Sequence, residues 1–132
     1  MKITLYLALT ALLISMASCG NYKMSESDEI VDYPDKESQF PGGVEAMKKY
    51  LAKNINYPEV AMVNGDQGKV FVEFVVEKNG YITNVKILRG VSREIDLEAK
   101  RVISQMPKWT PAVYKRKYVG SRARIPINFI LE

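Results

Sequence analysis

The chain has 132 residues, enough for one domain. It is 47% hydrophobic and 26% charged, and nineteen Lys or Arg against fifteen Asp or Glu give a formal net charge of +4. With no histidine and a single cysteine, it lacks the parts for Cys–His or Ser–His nucleophilic catalysis, for zinc sites of Cys and His, and for an internal disulfide. We expect no metal and no cofactor.

In chain order, Lys2 supplies a short positive start, Leu5–Ile14 is apolar apart from Thr10, and Ser15, Met16, Ala17 and Ser18 form an exit of mostly small residues. That order is that of a secretory signal. The apolar run is shorter than the roughly 20 residues a spanning helix needs. The stretch "MASC" resembles the lipobox of bacterial lipoproteins, with Met16 where Leu is preferred. The resemblance implies cleavage after Ser18, acylation of Cys19 and stable attachment to a membrane through several acyl chains. Ordinary secretion with cleavage near Ala17 or Ser18 is the alternative.

Residues 20–37 hold six carboxylates against Lys23 and Lys36, and read as a solvated acidic tether. Residues 38–132 hold sixteen Lys or Arg against nine Asp or Glu, concentrated at Lys115, Arg116, Lys117, Arg122 and Arg124. Behind a secretion signal, this charge points to lipid head groups, acidic peptides or solubility rather than nucleic acid. The organisation expected is therefore 1–18 signal peptide, 19–37 lipid anchor and tether, and 38–132 folded domain.

After the Pro41-Gly42-Gly43 breaker, Val44, Met47, Leu51 and Ile55, with Tyr50 beside them, fall on one face of a helix that Pro58 ends. Val70, Val72, Phe74 and Val76 alternate with their neighbours, which predicts a strand. Asn79-Gly80 predicts a tight turn with positive φ at both residues. Thr83, Val85 and Ile87 return, so residues 69–89 form an antiparallel hairpin. Ser92 caps a helix whose stripe is Ile95, Ala99, Val102, Ile103 and Met106, ended by Pro107. Asp96 and Glu98 lie two apart on that helix and point differently, so they read as solvated surface and not a catalytic pair. Residues 108–120 read as a loop from which Trp109 folds back onto the core.

Finally Ala123, Ile125, Ile127, Phe129 and Leu131 alternate in a strand over 121–131. Pro126 has no amide hydrogen, which assigns this strand to a sheet edge, open along part of its length. The expected fold is α+β, with two helices packed on one face of a three-stranded antiparallel sheet in the order helix-strand-strand-helix-strand.

The segments "FPGG", "YLAKNINYP", "GDQGKVFVEFVVEKNGYITNVKILRG", "IDLEAKRVISQMPKW" and "IPINFIL" together resemble the TonB C-terminal domain over about residues 38–132. Tyr57-Pro58, Gln67-Gly68, the Asn-Gly hairpin, Pro107–Trp109 and the final strand keep their order. The resemblance implies a periplasmic binding module and not an enzyme. Its partner would be an outer-membrane TonB-dependent transporter, whose TonB box, an extended peptide, adds a strand to the sheet edge. Carried over, the receiving strand is Ser121, Arg122, Ala123, Arg124, Ile125, Ile127, Asn128 and Phe129, with Tyr57 and Gln67 near the incoming peptide. The chain departs from full transducers in showing neither their inner-membrane helix nor their long Pro-rich span. The alternative is an accessory or regulatory lipoprotein that uses the same edge for another partner, or for a homodimer. The location implied is the cell envelope, at the periplasmic face of a membrane, the outer more than the inner.

Overall fold

The computed structural model describes residues 29–132. The leader and the proposed lipidation site Cys19 lie outside the described residues. The elements in chain order are β1 (Ile30–Val31), α1 (Gly43–Asn54), α2 (Glu59–Asn64), β2 (Gly68–Val76), β3 (Ile82–Arg89), α3 (Arg93–Ser104), β4 (Ala112–Tyr114) and β5 (Lys117–Phe129). The sheet runs β1-β5-β2-β3, with β4 paired to β5.

The α+β class is as expected, and the alternation of β2 and β5 does what it predicts. Val70, Val72, Phe74 and Val76 are buried together with Ile125, Ile127 and Phe129, while Phe71, Arg122, Arg124, Pro126 and Asn128 are exposed on the other face. Apart from the buried Val75, that face of the sheet is thus solvated, as antiparallel sheets allow. The α3 stripe is buried as read, through Ile95, Ala99, Val102 and Ile103, and Ser92 caps its start by accepting the Ile95 N–H. Trp109 returns to the core, edge-on to Phe74 and Phe40 with centroids 5.2 and 5.9 Å away.

Several expectations are corrected. The sheet has two strands more than the three expected, and α2 is a helical turn and a half placed between Pro58 and an αL Gly65. Residues 112–114 are strand and not loop, and β5 begins at Lys117 rather than 121. The turn between them uses Lys115 and Arg116, both at positive φ. The hairpin turn at Asn79-Gly80 is wider than a two-residue turn. Gly80 N–H bonds to Glu77 O and Glu77 N–H to Tyr81 O, so positive φ falls at Gly80 alone. That is a type I turn closed by a glycine bulge, the next commonest way to join two strands. The acidic segment is not free: from Ile30 onward it lies along β5 and β4.

The end of α1 is tied to α3 by a polar cluster. Tyr50 donates to Val102 O (2.9 Å), Arg101 donates to Asn54 O (2.8 Å) and to Glu98, and Glu98 accepts the Asn56 N–H (2.9 Å). The Arg101 hydrogen bond holds the Glu98 carboxyl below the ordinary glutamate range, against the opposing effect of burial, with the Asn56 N–H helping. The folded chain therefore keeps Glu98 ionised to lower pH than the unfolded chain does. Its contribution is complete above the ordinary glutamate range and is lost as pH falls through the depressed folded value. Acid unfolding of Glu98→Gln should start from a lower plateau and show a shallower pH dependence below about pH 4.3 than the parent. An unchanged acid limb would contradict this role.

Candidate functional site

β5 pairs with β2 residue by residue from Ser121↔Val76 to Phe129↔Gly68. On the opposite flank β1 pairs only with Gly120 and Ser121. Among the described residues no strand pairs with Arg122–Phe129 on that flank. β5 is therefore interior at its start and an edge beyond Ser121, which refines the expectation of an edge strand over 121–131.

Backbone groups of successive strand residues point to alternate flanks. The Leu131 N–H turns toward the β2 side, where Gln67 Oε1 accepts it at 3.2 Å. Pro126, with no N–H to give, has the opposite parity. Both facts assign the odd-numbered amides of β5 to the ladder with β2. They leave the Arg122 N–H against Val31 and the N–H groups of Arg124 and Asn128 facing the open flank, where Pro126 offers a carbonyl only. An edge with unpaired N–H and C=O groups is a template for another extended chain.

Beside this flank lies a groove of about 360 Å³, between Glu37–Phe40 with Gly43, Val44 and Met47 on one side and Arg122–Ile125 on the other; Trp109 also lines it. Val44, which the helical stripe placed in the core, is 62% exposed here. Trp109 is only 7% exposed, and its Nε1–H is buried without an acceptor. A buried donor left unpaired costs about 1–3 kcal/mol. The outer rim is basic. The Arg122 guanidinium binds the Asp32 carboxylate, and Arg124 Nε donates to Glu73 Oε2 at 2.7 Å.

Of the residues singled out from sequence, Ser121, Ile125, Ile127 and Phe129 are buried toward the core and Ala123 is half-buried. Their backbone groups belong to the ladder with β2, and only Ala123 and Ile125 reach a partner, as part of the groove lining. Arg122, Arg124 and Asn128 are exposed. Tyr57 and Gln67 are brought together at the far end of β5 from the groove. The Tyr57 ring packs edge-on to Phe129 (5.7 Å), its hydroxyl donates to Asp66 O, and Gln67 holds Leu131. They fix the end of β5 and do not line the groove. Phe40, Val44, Met47, Trp109 and Asp32 were not read as site residues. Val44 and Met47 carried a signal only as apolar residues of the helical stripe, and Trp109 as a residue that folds back onto the core.

The sheet's other edge, β3, is less suited to docking. Its pairing with β2 shifts register twice, and Asn84 sits at φ 51. Such irregularities blunt an edge.

The fold is that of a known class of envelope domain. The solution structure of the Helicobacter pylori TonB C-terminal domain superposes with a TM-score of 0.51 at 20% identity, covering 65% of this chain and 78% of that one. The model of the Gram-negative bacterial TonB protein C-terminal family matches residues 53–131, and the chain belongs to that family. Protein TonB from two strains of Xanthomonas campestris pv. campestris is 36% identical over 86 residues. The match covers 61% of this chain and 37% of each relative, so the chain spans little more than a third of their length. No helix among the described residues is long and apolar enough to cross a membrane.

Proposed function

We propose that the domain binds extended peptides by strand addition to the open flank of β5, and that it does so in TonB-dependent transport, docking the TonB box of an outer-membrane transporter. The observation that carries this reading is the unpaired flank Arg122–Phe129. It is about 26 Å long at roughly 3.3 Å per residue, and an apolar groove adjoins it. The peptide's backbone would pair with Arg122, Arg124 and Asn128, and an apolar side chain of the peptide would enter the groove against Phe40, Met47 and Trp109. Affinity comes from main-chain hydrogen bonds and selectivity from the alternate side chains that reach the groove. The domain would work at the periplasmic face of a membrane, directed there by residues 1–18 acting as a cleaved signal and held there by acylated Cys19.

Calorimetric titration of the full chain in detergent micelles with a synthetic TonB-box peptide should give saturable one-to-one binding. No heat and no amide shifts at millimolar peptide would remove the reading. Mass spectrometry of the membrane fraction should find Cys19 acylated. An unmodified thiol there, or a chain that keeps residues 1–18, would remove the anchor and leave the domain's binding untouched.

A further inference from the structure

We propose that Glu29–Asp32 is the resident strand of this docking flank, displaced by a partner strand of the same chemistry: a β-branched apolar pair followed by a carboxylate. The inference rests on the strand-addition reading above and deepens it.

Ile30 and Val31 lie parallel to β5 against Gly120 and Ser121, immediately before the open flank begins. Gly120 provides the seat. A Cβ built there would come within 2.7 Å of Ile30 Cδ1, with its next neighbours, Glu77 Oε2 and Val76 O, at 3.7 Å. The missing side chain of Gly120 is thus the space the Ile30 side chain fills. Two residues further on, the Asp32 carboxylate meets the Arg122 guanidinium. An aliphatic side chain over a glycine, then an acid on an arginine, is a side-chain pattern as well as a backbone pairing.

The attachment is built to let go at one end only. Beyond Asp32 the chain is fastened firmly. Lys115 N–H donates to Asp35 Oδ2 (2.9 Å), Lys36 exchanges two backbone hydrogen bonds with Val113 (3.0 and 2.9 Å), and Gln39 exchanges two with Thr110 (3.0 and 2.8 Å). Before that, two paired residues and one exposed ion pair hold Ile30–Asp32, and both kinds of contact are weak by themselves. Tyr33, between the loose and the fast parts, is 90% exposed. Residues 29–32 can therefore swing about Tyr33-Pro34 without disturbing the wall that Glu37–Phe40 gives the groove.

The flank of Ser121 that faces Val31 can pair with only one strand. A partner lying on Arg122–Phe129 and continuing toward Gly120 must take the place of Val31. It then meets the vacated seat over Gly120 and the freed Arg122. Self-occupancy shortens the docking flank in the free protein and selects partners able to replace both contacts.

The test uses the full chain in detergent micelles and, as probe, a synthetic peptide of the chain's own sequence from Asp28 to Tyr33. Gly120→Ala evicts Ile30 from its seat, and Asp32→Lys sets two cations against each other. Each should speed amide exchange at Gly120 and Arg122 at least tenfold, leave the exchange of β2 unchanged, and strengthen binding of the probe to Asp32→Lys about two- to fivefold. The double variant Asp32→Arg/Arg122→Asp should restore slow exchange and reject the acidic probe. Equal, measurable affinity in parent and variants would overturn the resident strand and leave strand addition standing. Binding to none of them would overturn both, and fast exchange at Gly120 and Arg122 in the parent would overturn the resident strand alone.

Discussion

Replacing Arg124 with proline is expected to weaken peptide binding about tenfold or more while changing the stability of the domain by no more than about 1 kcal/mol. Proline one residue later, at Ile125, is expected to unfold it. The two substitutions remove the same kind of group from adjacent positions of one strand. Arg124 has an exposed side chain, and its amide faces the unpaired flank, so the ladder to β2 loses nothing. The strand already tolerates a proline of the same parity at 126. A partner strand, by contrast, loses a central donor and meets the ring, and one hydrogen bond to a docked backbone is worth about 0.5–1.5 kcal/mol before the steric effect. Ile125 is 8% exposed, packs in the core and pairs with Val72. Proline there breaks the ladder and empties a core position, which together exceed about 3 kcal/mol. Urea unfolding gives the stabilities and calorimetry gives the affinities. If Arg124→Pro destabilised as much as Ile125→Pro, the assignment of flanks would be reversed.

Gly80→Ala is expected to cost about 3 kcal/mol, far more than its exposed neighbourhood suggests. Gly80 sits at φ 87, where an L side chain is strained by roughly 1–2 kcal/mol. A Cβ would also overlap the carbonyl oxygen of Trp109, whose own N–H donates to Gly80 O at 2.9 Å. The turn and the tryptophan are stitched backbone to backbone, so the clash has no flexible side chain to absorb it. Relief requires moving Trp109, which supports Phe74 and Phe40 and lines the groove. The variant should therefore unfold at lower urea, show red-shifted tryptophan fluorescence and bind peptide more weakly. Asn79→Ala removes only the Asn79 Oδ1 bond to the Tyr81 N–H (3.2 Å), and should cost about 0.5–1.5 kcal/mol. Similar losses for the two would mean that the Gly80–Trp109 contact is soft.

The parts of this fold that the sequence makes legible are those whose pattern is local. β2 shows its period of two, α3 shows a full stripe with a capping Ser92 and a terminating Pro107, and β5 shows its alternation from Ala123 to Phe129. β4 stayed hidden because its turn, Lys115-Arg116, holds positive φ without Asn or Gly. β1 stayed hidden because two residues in an acidic run have no periodicity, and their pairing depends on a glycine ninety residues away. The site divides in the same way. Pro126 pointed to an edge, and the edge exists beyond Ser121. The groove beside it did not show, because Phe40, Met47 and Trp109 look like any core residues until the chain brings them to the flank of Arg122–Ile125. Tyr57 and Gln67 kept their place in the family's order, and here they secure the end of β5.

The most direct measurement is residue-resolved amide exchange on the full chain in micelles, with and without a saturating TonB-box peptide. If a partner's backbone docks where β5 has none of its own, the amides of Arg124 and Asn128 pass from fast to slow exchange. Those of Ala123, Ile125 and Ile127, already bonded to β2, stay as they were. Protection gained along β3 instead, or no change at Arg124 and Asn128 with peptide bound, would contradict the account.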